Sequence, residues 1–273
     1  MVYRTYHPRA PLCEFVKLFW YYEGYTQPHA KERIMPDGSM QVIIDLREDQ
    51  IRIYDRENPE RCDRYPGAVF TGPRSQFEII DTAGQASVMG IHFRSGGAAR
   101  FLKMPLNELQ NQVVSLDCLW GREGTDFRTR VLEAPTPEAK LQTFEQCLME
   151  QCVKPLERHP AVRGALHFID RRFPGLSIGD LTSNIGIGRR RFIQVFSEEI
   201  GLAPKLFCRV HRFQQVLHSI QGKEEIDWAD VALSCGYFDQ AHFNHDFREF
   251  SGMNPSTYLK RRTEHLNHVP ILD

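Results

Sequence analysis

The spacing of apolar positions changes near residue 115. Before it, apolar runs are short and end at turn residues. Residues 40–46, Ile51–Tyr54, Ala68–Thr71, residues 77–80 and Ser87–Phe93 have strand length and are rich in β-branched or aromatic side chains. Pro36-Asp37-Gly38, Asn58-Pro59, Pro66-Gly67, Gly72-Pro73 and Ala83-Gly84 supply turn chemistry between them. This pattern predicts a small β-barrel or sandwich. Residues 12–22 read as either a helix or an edge element.

From Thr125 onward the apolar period is helical. Over residues 137–153, Leu141, Phe144, Leu148 and Cys152 fall on one stripe. A single apolar stripe needs a partner, either its own domain or a second subunit. Pro155 and the His159-Pro160 pair mark a boundary, because a residue before proline avoids helical geometry. The expected fold class is α+β in two domains. Residues 1–155 form a β-rich domain with a helical end, and residues 156–273 form an all-helical domain with its core at 160–262.

The helical part contains an internal repeat. At an offset of 51, Phe192 maps to Phe243, Phe196 to Phe247, Glu198 to Glu249, Gly201 to Gly252, Pro204 to Pro255 and Phe207 to Tyr258. Upstream the offset is 50, taking Leu181 to Val231, Thr182 to Ala232 and Gly186 to Gly236. A one-residue difference in the turn between two helices accounts for the change. Each copy reads as helix, glycine turn, helix. In the first, Ser177 and Asp180 signal a helix start, Gly186 ends that helix, and the next buries Phe192, Val195 and Phe196. In the second, Asp227 caps one helix, Gly236 turns the chain, and Asp239 caps a helix that buries Phe243, Phe247 and Phe250. A longer helix starting at Pro204 joins the copies.

If the phenylalanines face inward, the opposite faces are polar or cationic. The first carries Arg190, Ile193, Gln194 and Ser197, flanked by Arg189 and Arg191. The second carries Gln240, Ala241, Asn244, His245 and Arg248, with His242 beside them. Such helices present their early residues to base edges in a major groove.

Composition first argues against nucleic acid and then only limits it. The 34 Lys+Arg and 35 Asp+Glu give a net charge of −1, without the usual basic excess. Seven cysteines are scattered, with no C-x-x-C pair, which excludes a disulfide framework or a zinc site. No signal peptide and no membrane-length apolar run is seen, so a cytoplasmic location is expected. Near-neutral charge implies weak non-specific binding and a shallow salt dependence. Specificity then rests on a few base contacts.

Residues 176–262 resemble the DNA-binding domain of the AraC/XylS family of bacterial transcription regulators. Gly236-Tyr237-Phe238-Asp239, Phe243, Phe247, Gly252, Pro255 and Tyr258 carry the likeness. It implies a seven-helix domain with recognition helices at 189–199 and 239–250, reading two successive major grooves. It also implies RNA polymerase as a partner in gene activation. Many members carry arginine where this chain has Gln194 and His245, and Ser or Thr where it has Gly188, so base preference does not carry over. The N-terminal region is similar to the β-rich domain of uncharacterised function in one branch of the family. Trp20, residues 32–39 and residues 90–98 carry that likeness. Cupin-like barrels of this architecture sense small molecules, which suggests an effector or a homodimer contact here.

Trp20, Tyr22 and His92 are the ligand-site candidates. Core packing competes for the aromatic residues. No catalytic residue, metal ligand or cofactor is expected: His7, His29 and His92 are widely separated and lack the clustering of a cupin metal site. The alternative is an enzymatic β domain that the helical part localises to DNA.

Overall fold

The computed structural model describes residues 2–24, 28–82, 86–172 and 186–271. The strands are β1 Val2–Tyr6, β2 Val16–Glu23, β3 Lys31–Ile34, β4 Gln41–Asp45, β5 Ile51–Tyr54, β6 Cys62–Tyr65, β7 Ala68–Thr71, β8 Glu78–Asp81, β9 Ser87–Phe93, β10 Val113–Ser115 and β11 His268–Ile271. They form a sheet ordered β1-β2-β9-β4-β7-β10 and a second ordered β11-β3-β8-β5-β6. These are two separate sheets, not a closed barrel. Residues 12–22 are neither a helix nor an edge: a short 3-10 turn at Leu12–Glu14 precedes β2, which lies between β1 and β9.

Alternation along the strands decides what each face does. Phe19, Tyr21, Val42, Ile44, Phe70, Met89 and Ile91 project from one face of the larger sheet into a buried cluster. Three helices cover that face: α1 Leu116–Trp120, α2 Arg122–Glu133 and α3 Pro137–Glu150. Thr136 caps α3 by accepting from the Ala139 amide at 3.1 Å, and Pro137 occupies its first turn. Leu141, Phe144, Cys147 and Leu148 then meet the sheet, with Phe144 4.9 Å from Phe127 and 6.0 Å from Phe19 between ring centres. The stripe's partner is therefore its own domain. Each such side chain contributes roughly 1.5–3 kcal/mol on burial.

The second domain contains α4 Pro160–Arg172, α5 Arg189–Ile200, α6 Pro204–Ser219, α7 Trp228–Ser234, α8 Gln240–Ser251 and α9 Pro255–Arg261. The helix expected after Ser177 lies outside the described residues. Phe192, Phe196, Phe207, Phe213, Phe243, Phe247 and Tyr258 fill the core, with Phe247 5.3 Å from Phe213 and 5.5 Å from Tyr258. α6 has 16 residues, a length of about 24 Å at the helical rise.

After α9 the chain returns to the first domain. β11 pairs antiparallel with β3, His268 opposite Ile34 and Ile271 opposite Lys31. Val269 on β11 and Met35 just after β3 both belong to the core of the helical domain. The Gln214 amide on α6 donates to the Pro36 carbonyl at 2.8 Å and to Asn267 Oδ1 at 2.9 Å. The two domains thus share buried apolar and polar contacts.

Candidate nucleic-acid interface

Each glycine turn is followed by an amphipathic helix. In α5, Phe192, Val195, Phe196, Glu199 and Ile200 are buried. Arg189, Arg190, Arg191 and Gln194 are exposed, and Ile193 and Ser197 are half-buried. Gly188 caps this helix and has no side chain to accept from its first amides. In α8, Asp239 accepts from the His242 amide at 2.7 Å. Gln240, Ala241, His242, His245 and Arg248 are exposed, and Asn244 is half-buried. The ten residues expected at the interface therefore lie on the outward faces of two repeat-related helices.

They differ in freedom. Gln194 is the middle of a short chain: Arg191 Nη1 donates to its Oε1 at 3.2 Å, and its Nε2 donates to Glu198 Oε1 at 2.8 Å. Arg191 and Glu198 also line a cleft of about 490 Å³ between α5 and the first domain, together with Arg100 and Arg158. On α8, Ala241, Asn244, His245, Arg248 and Glu249 line a shallow depression.

Sequence reasoning missed the charge network behind α8. Arg209 of α6 donates to both carboxylate oxygens of Asp246, at 2.7 and 3.4 Å, and reaches Glu249. His242 and His245 stand 3.8 and 3.7 Å from the same Asp246 carboxylate. His245, Asp246 and Glu249 have their ligand atoms within 4.8 Å of one another. The Arg209 guanidinium already supplies the cation there, so the cluster reads as a brace for α8. Arg209 and Asp246 sit 37 residues apart, and no local pattern links them.

Sequence reasoning used Phe238 only as a motif position and missed its exposure. This residue stands where the repeat offset changes from 50 to 51. Hydrophobic residues before an N-cap commonly pack against the helix, but Phe238 is 86% exposed. Tyr237 packs on Phe243 instead, at 5.4 Å.

The ligand candidates share one face of the larger sheet. Trp20 pairs with Gly90, Tyr22 with Val88, and Leu18 with His92, so Trp20, Tyr22 and His92 point away from the helix-covered core. The Trp20 ring lies against Gly90, where an added Cβ would come within 2.6 Å of it. His92 Nε2 is 3.8 Å from Asp37 Oδ2. Burial lowers the His92 pKa and the Asp37 charge opposes that shift. The Asp37 carboxyl is held below its ordinary value by His92 and Ser39 despite burial.

The two parts of the chain match different family models. Residues 4–115 match a family described as a domain of unknown function, DUF6597. Residues 181–261 match a helix-turn-helix domain. An uncharacterized HTH-type transcriptional regulator of Haemophilus influenzae is 31% identical over 74 residues, 27% of this chain and 24% of that relative. The match thus spans about a quarter of the curated relative. ToxT from Vibrio cholerae is similar at 9% identity and a TM-score of 0.46, covering 95% of this chain and 98% of its own. The C-terminal domain of AraT, a response regulator from Geobacillus stearothermophilus, is similar at 20% identity and a TM-score of 0.35, covering 38% and 88%. The chain is a two-domain helix-turn-helix protein. Its helix-turn-helix match lies in the C-terminal part, and the stretch matching DUF6597 precedes it.

Proposed function

We propose that this protein is a sequence-specific DNA-binding transcription regulator. α5 and α8 enter two successive major grooves on one face of the duplex. The observation that carries this reading is the repetition: two glycine turns, at Gly186 and Gly236, are each followed by a helix with its phenylalanines buried and its early polar residues exposed, and the two helices correspond at an offset of 51. Arg190, Gln194, Gln240 and His245 are the base-reading candidates. Arg189, Arg191, His242 and Arg248 serve phosphate, and Ala241 and Asn244 complete the α8 face. Gln194 suits adenine by bidentate contact, once released from Glu198.

The DUF6597 domain acts as the controlling part, through a small molecule or through dimerisation. Trp20, Tyr22 and His92 on one sheet face are its ligand candidates. A cytoplasmic location and contact with RNA polymerase follow from the same reading. Among the described residues no helix is long and apolar enough to cross a membrane. The enzyme alternative is less well supported, because in the first domain's own pocket Tyr21 donates to Glu23 and Lys140 donates to the Val131 and Leu132 carbonyls.

Binding to duplexes selected from a random-sequence library tests the assignment. Replacing Arg190, Gln194, Gln240 and His245 together with alanine is expected to abolish selective binding. Unchanged selectivity would show that α5 and α8 are not the reading helices. Thermal stabilisation by a small molecule would support effector control over dimerisation alone.

A further inference from the structure

The first domain holds both reading helices at the same point of the repeat. The last turn of α5 ends at Gly201 and that of α8 ends at Gly252, both left-handed, with φ of +87° and +69°. These two glycines correspond at the offset of 51.

At the end of α5, the Glu199 side chain is 7% exposed. Arg100 Nη2 lies 2.6 Å from its carboxylate, Arg158 Nη1 lies 3.9 Å away, and the His159 amide donates to it at 3.2 Å. Arg158 is itself fixed, donating to the Ser95 carbonyl at 2.7 Å and the Glu14 carbonyl at 3.1 Å. Gly201 sits so close to the first domain that an added Cβ would fall 2.3 Å from Pro73 Cγ and 3.1 Å from Leu106 Cβ.

At the end of α8, Arg33 Nη1 donates to the carbonyls of Ser251 and Gly252, both at 3.3 Å. These are among the orphan carbonyls that every helix leaves at its C-terminus. The same guanidinium stacks on Phe77, 4.9 Å from the ring centre. An added Cβ on Gly252 would meet that ring at 2.4 Å. Between the two ends, Gln214 fastens α6 to the Pro36 carbonyl.

The contacts leave the N-terminal turns of α5 and α8 exposed and immobilise their C-terminal turns. Two rods gripped at equivalent ends by one body keep a fixed separation and rotation. We propose that Arg33, Arg100 and Glu199 are positioning residues, through which the DUF6597 domain sets the half-site spacing the protein accepts. This rests on the two-helix reading above. A free double helix-turn-helix joined only through α6 would tolerate small changes of spacing. The braced one would not, because one inserted base pair moves the second half-site by about 3.4 Å and rotates it about the duplex axis.

The test uses the full chain. Duplexes selected by the wild-type protein from a random-sequence library define the bipartite motif. Affinity is then measured for the best duplex and for one with a single base pair inserted between the halves. The wild type is expected to lose about 10-fold or more on insertion, comparable to one mismatched pair. Arg33→Ala and Arg100→Ala are expected to bind the best duplex less tightly and to lose less than about 3-fold on insertion. Arg33→Lys is expected to restore part of the discrimination. If an alanine variant does not fold, Glu199→Gln keeps the side-chain shape, removes the charge and carries the same expectation. Wild-type discrimination in these variants overturns the proposal while leaving the two-helix reading intact. A wild-type motif with a single half-site overturns both.

Discussion

Arg209 and Asp246 tie the joining helix α6 to α8. Arg209 leaves α6 and places Nη2 2.7 Å from a carboxylate that is 1% exposed. The pair orients α8 from behind, on the side away from Gln240, Ala241 and Arg248. An ion pair of this kind is costly to break by removing Arg209, since the Asp246 carboxylate then stays buried. Arg209→Ala is therefore expected to cost roughly 3 kcal/mol of stability, read from urea unfolding. A loss below about 1 kcal/mol, the range of exposed pairs, would show that the bridge does not hold the helix.

Phe238 and Phe247 separate exposure from packing. Phe247 is fully buried between Phe213, Phe243 and Tyr258. Phe247→Ala is expected to cost about 3–5 kcal/mol. Phe238→Ser is expected to change stability by less than about 0.5 kcal/mol. Chemical denaturation of the two variants side by side checks the contrast, and comparable losses would contradict the packing described.

Glu198 places a negative charge on α5 and engages the Gln194 amide. On the proposed reading, removing it frees Gln194 for a base and reduces repulsion from phosphate. Glu198→Ala, which leaves no side-chain acceptor at that position for Gln194, is expected to bind duplex DNA several-fold more tightly at moderate salt, with a steeper salt dependence. Fluorescence anisotropy at two salt concentrations measures this. Weaker binding by the variant would mean that Glu198 helps to present Gln194 rather than to withhold it.

Stability is expected to fall on mild acidification. His92 has its pKa lowered by burial, opposed by Asp37 and supported by Lys17 and Arg74. In the unfolded chain its pKa is about 6.5. Below that pH the unfolded chain takes up a proton that the folded chain resists, so stability is lost as pH falls from about 6.5 through the lower folded value. His211 is shifted in the same direction, again by burial. His92→Asn is expected to lose less stability than the wild type between pH 7.5 and pH 5. Equal losses would assign the acid sensitivity to other groups.

Much of the C-terminal domain was legible in the sequence, because its signals are local. Asp227 and Asp239 cap their helices as their positions suggested. The phenylalanine spacing located the buried face of α5 and α8 without reference to the fold. Strands with alternating or continuous apolar residues, such as β4, β7 and β9, were legible for the same reason. β1 and β6 were not, since VYRTY and CDRY lie at sheet edges and bury little. β11 was invisible, because its pairing with β3 joins residues more than 230 apart in the chain. The braces at Gly201 and Gly252 were hidden too. Arg33, Arg100 and Glu199 read as ordinary surface charges until the two domains are placed together.

The most direct test of the account is a hydroxyl-radical footprint of the full chain on a duplex it selects from a random-sequence library. Two helices in successive major grooves of one face should protect two patches, centred about 10–10.5 base pairs apart, and the combined Arg190, Gln194, Gln240 and His245 variant should protect neither. A single protected patch, or two patches on opposite faces of the duplex, would contradict the assignment of α5 and α8 as paired readers.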